Sequence, residues 1–227
     1  MTVPVIAIDG PSGAGKGTIA RQVAKRLGWH LLDSGALYRL VALSALKSGV
    51  EPGDTERLRQ LAAGLDVRFV VDADGEEQIF LDGEDVTLDV RSEVCGNAAS
   101  TVAAVPEVRD ALIGRQRRFR NKPGLVADGR DMGTRIFTDA QPKIFLTASP
   151  EERAQRRHKQ LKDKGIDVSL PALRSEIAER DRRDASRAVA PLEPAADAVR
   201  IDTTELGIAE VVDLVLHLAN ESGTITD

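Results

Sequence analysis

The residues with the clearest chemical purpose form one run, Gly10-Pro11-Ser12-Gly13-Ala14-Gly15-Lys16-Gly17-Thr18. Glycines at 10, 13 and 15 permit positive φ, so successive backbone N–H groups can turn toward a common centre. A helix that opens at the end of the run would bring its positive N-terminal end to the same point. Lys16 adds a flexible ammonium able to reach the β- and γ-phosphates of a nucleoside triphosphate. The general form of such a loop places Ser or Thr directly after the lysine as a Mg²⁺ ligand. Here Gly17 fills that position and Thr18 comes one residue later, which puts direct metal ligation by the loop in doubt.

Three further groups have residue types suited to work on phosphates. The segment Asp128-Gly129-Arg130-Asp131-Met132-Gly133-Thr134 follows the apolar run Gly124–Ala127, and two acids and an arginine at a strand's carboxyl end are costly to bury without a task. Asp33-Ser34-Gly35 follows the short strand candidate Trp29–Leu32 and caps a helix over Ala36–Lys47, with Arg39 about one turn inside it. Ligands of open α/β sheets collect outside the carboxyl ends of the strands, where both groups would lie. The third group is basic. Arg153, Arg156, Arg157 and Lys159 follow the helix start Ser149-Pro150, and Arg180, Asp184 and Arg187 are spaced to share a helical face. The first set reads equally well as a solvated face or as lid arginines closing on transferring phosphates, and the second has a surface salt-bridge ladder as its plain alternative.

The elements that must position these groups follow from periodicity. Val3–Ile8 is a buried strand leading into the glycine run, and Thr18–Leu27 is the helix after it. A short helix covers 54–63; the strands Leu65–Val71 and Gln78–Leu81 flank a turn at Asp72-Ala73-Asp74-Gly75, and Glu84–Val90 is a candidate third strand. This meander reads as an insert at 64–90, a flap on the acceptor side. Helices are predicted over Arg91–Ala104 and Glu107–Arg120, a strand over Lys143–Thr147, a helix over Ser169–Ala185, a strand over Ala198–Ile201 and a helix over Ile208–Ala219. Most arginines of the 107–120 helix cannot face one ligand and are solvated charge.

Composition narrows the class. With 227 residues the chain fits one α/β domain, 1–227, and its net charge of −5 argues against a nucleic-acid polymer as ligand. No apolar run nears the ~20 residues of a membrane span and the N-terminus lacks a signal pattern, so no membrane partner and a cytoplasmic location are expected. The single cysteine, Cys95, is assigned no chemistry, and a monomer is expected.

Taken together, Gly10–Thr18, the segment Leu31–Arg39, Ala127–Thr134 and Arg180–Arg187 with Ala188–Leu192 resemble the bacterial cytidylate kinases over nearly the whole chain. The lysine-glycine-threonine ending of the loop is similar to the nucleoside monophosphate kinases in general. The resemblance implies a P-loop kinase of α/β class: a central parallel sheet flanked by helices, a small antiparallel β-insert and a helical lid at about 150–168. It implies transfer from ATP with Mg²⁺ to CMP or dCMP, with Arg39 and Arg130 on the acceptor's phosphate and Asp33 or Asp128 helping to place Mg²⁺ through water. Ser34, Ser100, Arg109, Asp131, Arg180, Asp184 and Arg187 would surround the acceptor, and Arg153, Arg156 and Arg157 would close on the phosphates. An ionised phosphate oxygen needs no strong general base. Two other readings keep the loop: a kinase for a small hydroxyl acceptor, which would need such a base, and a non-enzymatic nucleotide switch.

Overall fold

The computed structural model describes residues 2–71, 77–163, 165 and 167–225. The turn expected at 72–75, and positions 164 and 166 of the expected lid, lie outside them. The strands are β1 (Val5–Asp9), β2 (His30–Asp33), β3 (Val67–Val71), β4 (Glu77–Leu81), β5 (Glu84–Asp85), β6 (Leu125–Gly129), β7 (Lys143–Thr147) and β8 (Val199–Asp202). The helices are α1 (Lys16–Leu27), α2 (Ser34–Lys47), α3 (Thr55–Gly64), α4 (Thr87–Arg91), α5 (Glu93–Val102), α6 (Pro106–Arg117), α7 (Pro150–Lys162), α8 (Leu170–Ala185) and α9 (Ile208–Glu221), with a π-type turn at Met132–Ile136. The chain divides into two compact units, Met1–Asp33 with Gln116–Asp227, and Ser34–Arg115.

The first unit holds a five-stranded parallel sheet in the order β2-β6-β1-β7-β8. Every residue of β1 and β6 is buried, which is why both read as continuous apolar runs: a parallel sheet is covered on both faces. Edge strands β2 and β8 carry exposed positions. Ile6, Ile8, Val126, Ile144 and Leu146 of the sheet pack with Ile19 and Val23 of α1 and Val212 and Val215 of α9. Helix α1 ends at Gly28, whose φ of 63° turns its N–H back to the Lys25 and Ala24 carbonyls, an end that a residue with a Cβ closes less readily. Ser149 and Ser169 cap α7 and α8 by accepting from the N–H groups of Glu152 and Ala172.

In the second unit α2 is buried along most of its length and packs with α3, α4 and α5. Strands β3, β4 and β5 form a separate antiparallel sheet, in which Arg68 pairs with Phe80 across the ladder and places its guanidinium 5.3 Å from the ring centroid. The strand expected over Glu84–Val90 stops after two residues. Asp85 accepts from both the N–H and the hydroxyl of Thr87, a local bond that turns the backbone out of the ladder and into α4. The helix expected over Arg91–Ala104 is α5, which starts at Glu93 because the Ser92 hydroxyl accepts from the Cys95 N–H, while Arg91 ends α4.

Candidate active site

The glycine run links the carboxyl end of β1 to α1. Gly10, Gly13 and Gly15 take φ of 146°, 81° and 90°, and a Cβ on Gly10 would lie 2.1 Å from the Leu146 carbonyl oxygen, so no other residue fits there without moving β7. Three loop carbonyls accept bonds from side chains. Lys16 Nζ donates to Pro11 O at 2.8 Å, Arg153 to Ser12 O at 3.0 Å and the Thr203 hydroxyl to Ala14 O at 3.2 Å. The replacement of Ser or Thr by Gly17 also has a structural correlate. A Cβ at residue 17 would stand 3.3 Å from Asp128 Oδ2, so glycine leaves room for that carboxylate. Thr18 is exposed.

Charge is concentrated around this loop to a degree that burial makes expensive. Lys16 is buried, and burial together with the nearby Arg130 and Arg180 brings its ammonium down to about 7, against the opposing pull of Asp128 and Asp9. Burial likewise pushes Asp128 up to about 7, with Lys16 holding it down and Asp33 adding to the rise. Asp33 and Asp128 are register partners on β2 and β6. Such a pair of carboxylates is suited to the water shell of a Mg²⁺ ion carried in on phosphates. Among the described residues no group of three or more His, Cys, Asp and Glu side chains could hold a metal by itself.

Arg130 leaves β6 and donates from Nε to Asp184 Oδ2 at 2.9 Å, while Arg187 bonds the other oxygen, Asp184 Oδ1. Burial works against the Asp184 charge, but Arg130 and Arg187 outweigh it and hold the carboxyl below its usual range. The spacing of Arg180, Asp184 and Arg187 suggests one helical face. In the structure α8 ends at Ala185, and Arg187 reaches Asp184 from the segment beyond, which folds back so that the Leu192 N–H bonds the Asp184 carbonyl. Asp131 is buried, and its carbonyl accepts the N–H groups of Arg135 and Ile136 to close the π-type turn.

Among the residues expected around the acceptor, Ser34, Arg39, Ser100 and Arg109 belong to the second unit. Arg39, on α2, donates to the carbonyls of Val90 and Ser92 at 2.8 and 3.2 Å; Gly96 makes room for it, because a Cβ there would meet the guanidinium at 3.0 Å. Arg109 is buried against Tyr38, 5.4 Å from its ring centroid, and donates to Ala103 O. Ser34 and Ser100 are buried.

The three arginines grouped as one lid set have separate surroundings. Arg153 is buried under the loop, its Cβ 3.1 Å from where a Gly13 side chain would begin, and its donors go to Ser12 O, Ala148 O and both oxygens of Asp181. Arg156 bonds Glu152 and both the hydroxyl and carbonyl of Thr203, beside Gly15. Arg157 is half-buried and donates to Gln160. The sequence reading also passed over Asp9. Its oxygens accept the N–H groups of Met132 and Gly133, each at 2.8 Å, and its carboxyl is pushed up to about 6, burial outweighing those two bonds. An aspartate ending an otherwise apolar strand directly before the loop was the available signal.

Comparison with known proteins agrees with the motifs. The family model described as cytidylate kinase matches residues 6–221. A protein of Pseudomonas paraeruginosa named cytidylate kinase is 60% identical over 222 residues, covering 97% of both chains. One of the same name from Shewanella putrefaciens is 58% identical over 219 residues, covering 96% of this chain and 95% of that one. An uncharacterised protein of Eubacterium ventriosum of known crystal structure, 13% identical, shares the fold with a TM-score of 0.52 over 96% of this chain and 99% of its own. Loop, acidic strand ends and full-length similarity agree, and the chain belongs to the cytidylate kinase family.

Proposed function

We propose that the chain transfers the γ-phosphoryl group of ATP to CMP and dCMP, giving ADP with CDP or dCDP. The observation that carries this reading is the buried Lys16 ammonium, with Arg130 beside it, at a glycine loop that opens directly into the N-terminus of α1. Burial opposes that charge in the protein alone, and a polyphosphate satisfies it. The family match supports the acceptor class.

In this reading Gly10–Thr18 and Lys16 hold the donor phosphates in line with the acceptor and compensate charge as it moves off the γ-phosphate. Mg²⁺, when bound, neutralises phosphate oxygens; Asp33 and Asp128 are the residues to orient its waters. Arg39 and Arg130 are assigned to the acceptor phosphate, which as an ionised nucleophile requires no base. Ser100, Arg109, Asp131 and Arg187 are assigned to the base, where a carboxylate accepts from the amino group that cytosine has and uracil lacks. Asp184 and Arg180 are assigned to the sugar. The oxygens of Asp184 accept arginine bonds, and a carboxylate, with about four acceptor positions, can also accept from a sugar hydroxyl. Assigning it the 3′-hydroxyl accounts for both sugars.

A coupled ADP-release assay with CMP, dCMP, UMP, AMP and GMP tests the proposal. CMP and dCMP should agree within about tenfold in kcat/KM, and UMP should fall behind by a factor of about five to 150 through unmatched buried polar groups. Preference for a purine nucleotide, or ADP release indifferent to acceptor, contradicts it.

A further inference from the structure

Asp181 lies on α8 between Arg180 and Asp184, yet its carboxylate faces Arg153, with contacts of 3.0 and 2.5 Å from the two terminal nitrogens to its two oxygens. The same guanidinium donates to Ser12 O of the phosphate loop and to Ala148 O at the end of β7. Arg153 is 3% exposed, so its guanidinium is held by these protein partners, of which Asp181 brings the opposite charge. In a planar trans peptide the carbonyl and the next N–H point in opposite directions. A Ser12 carbonyl drawn outward to Arg153 therefore sets the Gly13 N–H on the opposite side of that peptide. Gly13, with φ of 81°, has little intrinsic preference to hold that orientation itself.

We propose that Asp181 is a positioning residue for the donor nucleotide: by fixing Arg153 bidentately it keeps the Ser12 carbonyl turned outward and the Gly13 N–H turned toward the donor phosphates. Asp181 itself touches no substrate. The proposal rests on ATP being the donor.

The test is ATP binding by titration calorimetry without acceptor, alongside KM for ATP and for CMP and thermal melting, for Asp181→Ala and Asp181→Asn. The alanine variant is expected to bind ATP about tenfold more weakly, consistent with loss of a charge-assisted, buried contact. CMP KM should stay within about twofold. The asparagine variant, which keeps one acceptor oxygen, should fall between alanine and wild type, and it serves if the alanine variant does not fold. Wild-type ATP affinity in a folded variant overturns the strut, as does an equal rise in both KM values with lowered melting, the pattern of a merely structural residue. If the wild-type protein binds no ATP, the proposed function fails and the strut falls with it.

Discussion

The carboxyl edge of the parallel sheet and the three-stranded antiparallel sheet both carry many charges, and they treat them in opposite ways. At the first, Asp9, Lys16, Asp128, Arg153 and Asp184 are buried, and several are driven toward their neutral forms by that burial. Around the second, ions pair in water: Lys47 meets Glu84 at 2.6 Å with side chains 43% and 71% exposed. Exposed pairs of this kind contribute little, whereas buried charges that repel or lack full hydration persist only where something else is gained. The contrast separates the region that the proposed function assigns to phosphates from one whose charges keep a surface solvated.

Four substitutions probe that contrast. Lys16→Ala should lower kcat by about two to three orders of magnitude, the scale of removing one preorganised donor to transition-state charge, with the circular dichroism of a folded protein retained. Asp131→Asn should shrink the CMP-to-UMP ratio of kcat/KM toward unity, since an amide can present either a donor or an acceptor to the base. An unchanged ratio removes Asp131 from base reading.

Asp9 gives a pH signature of unusual sign. Its carboxyl is raised from 3.8 to about 6 by burial, so between those values the folded state binds more protons than the unfolded one and stability falls as pH rises. The full stabilisation is present below the unfolded value and is lost through the folded one. Asp9→Asn should remove from urea unfolding between pH 4 and 6.5 a slope worth on the order of 1–3 kcal/mol. Its absolute stability should also be lower, because an amide offers one acceptor oxygen to the two N–H groups of Met132 and Gly133. A variant with the wild-type slope would show that Asp9 does not titrate in that window. The smallest effect is expected at the other sheet: Lys47→Ala should change melting by no more than about two degrees and kcat/KM by less than about twofold. A large loss of activity there would remove the distinction between the two regions.

What the sequence made legible was whatever has a local cause. Strand, glycine loop and helix at residues 3–27 were readable because apolar continuity, positive-φ glycines and helical period are all properties of neighbours. The start of α7 was readable for the same reason, through Ser149 and Pro150. The early end of β5 was missed because the two bonds that Asp85 accepts from Thr87 override the β-branched Val86-Thr87. At the candidate site the residue types were legible and their partners were not. Arg153 and Ser12 are 141 positions apart, and Arg130 and Asp184 are 54 apart. The shared face of Arg180, Asp184 and Arg187 pointed to local pairing, and Arg187 does bond Asp184, but that spacing carried no sign of Arg130, which bonds the other oxygen. Asp9 and Thr203 both act by holding backbone far away in the chain; the place of Asp9 before the loop was a signal, but its partners Met132 and Gly133 were not, and Thr203 had none.

The central claim is that the loop serves transfer to a cytidine monophosphate rather than hydrolysis or a nucleotide-dependent switch. It is tested most directly by following the label from γ-labelled ATP in a single turnover with CMP and Mg²⁺. The expected result is label in CDP, with negligible inorganic phosphate, and none in CDP for Lys16→Ala. Label appearing as inorganic phosphate at a rate independent of CMP would contradict it.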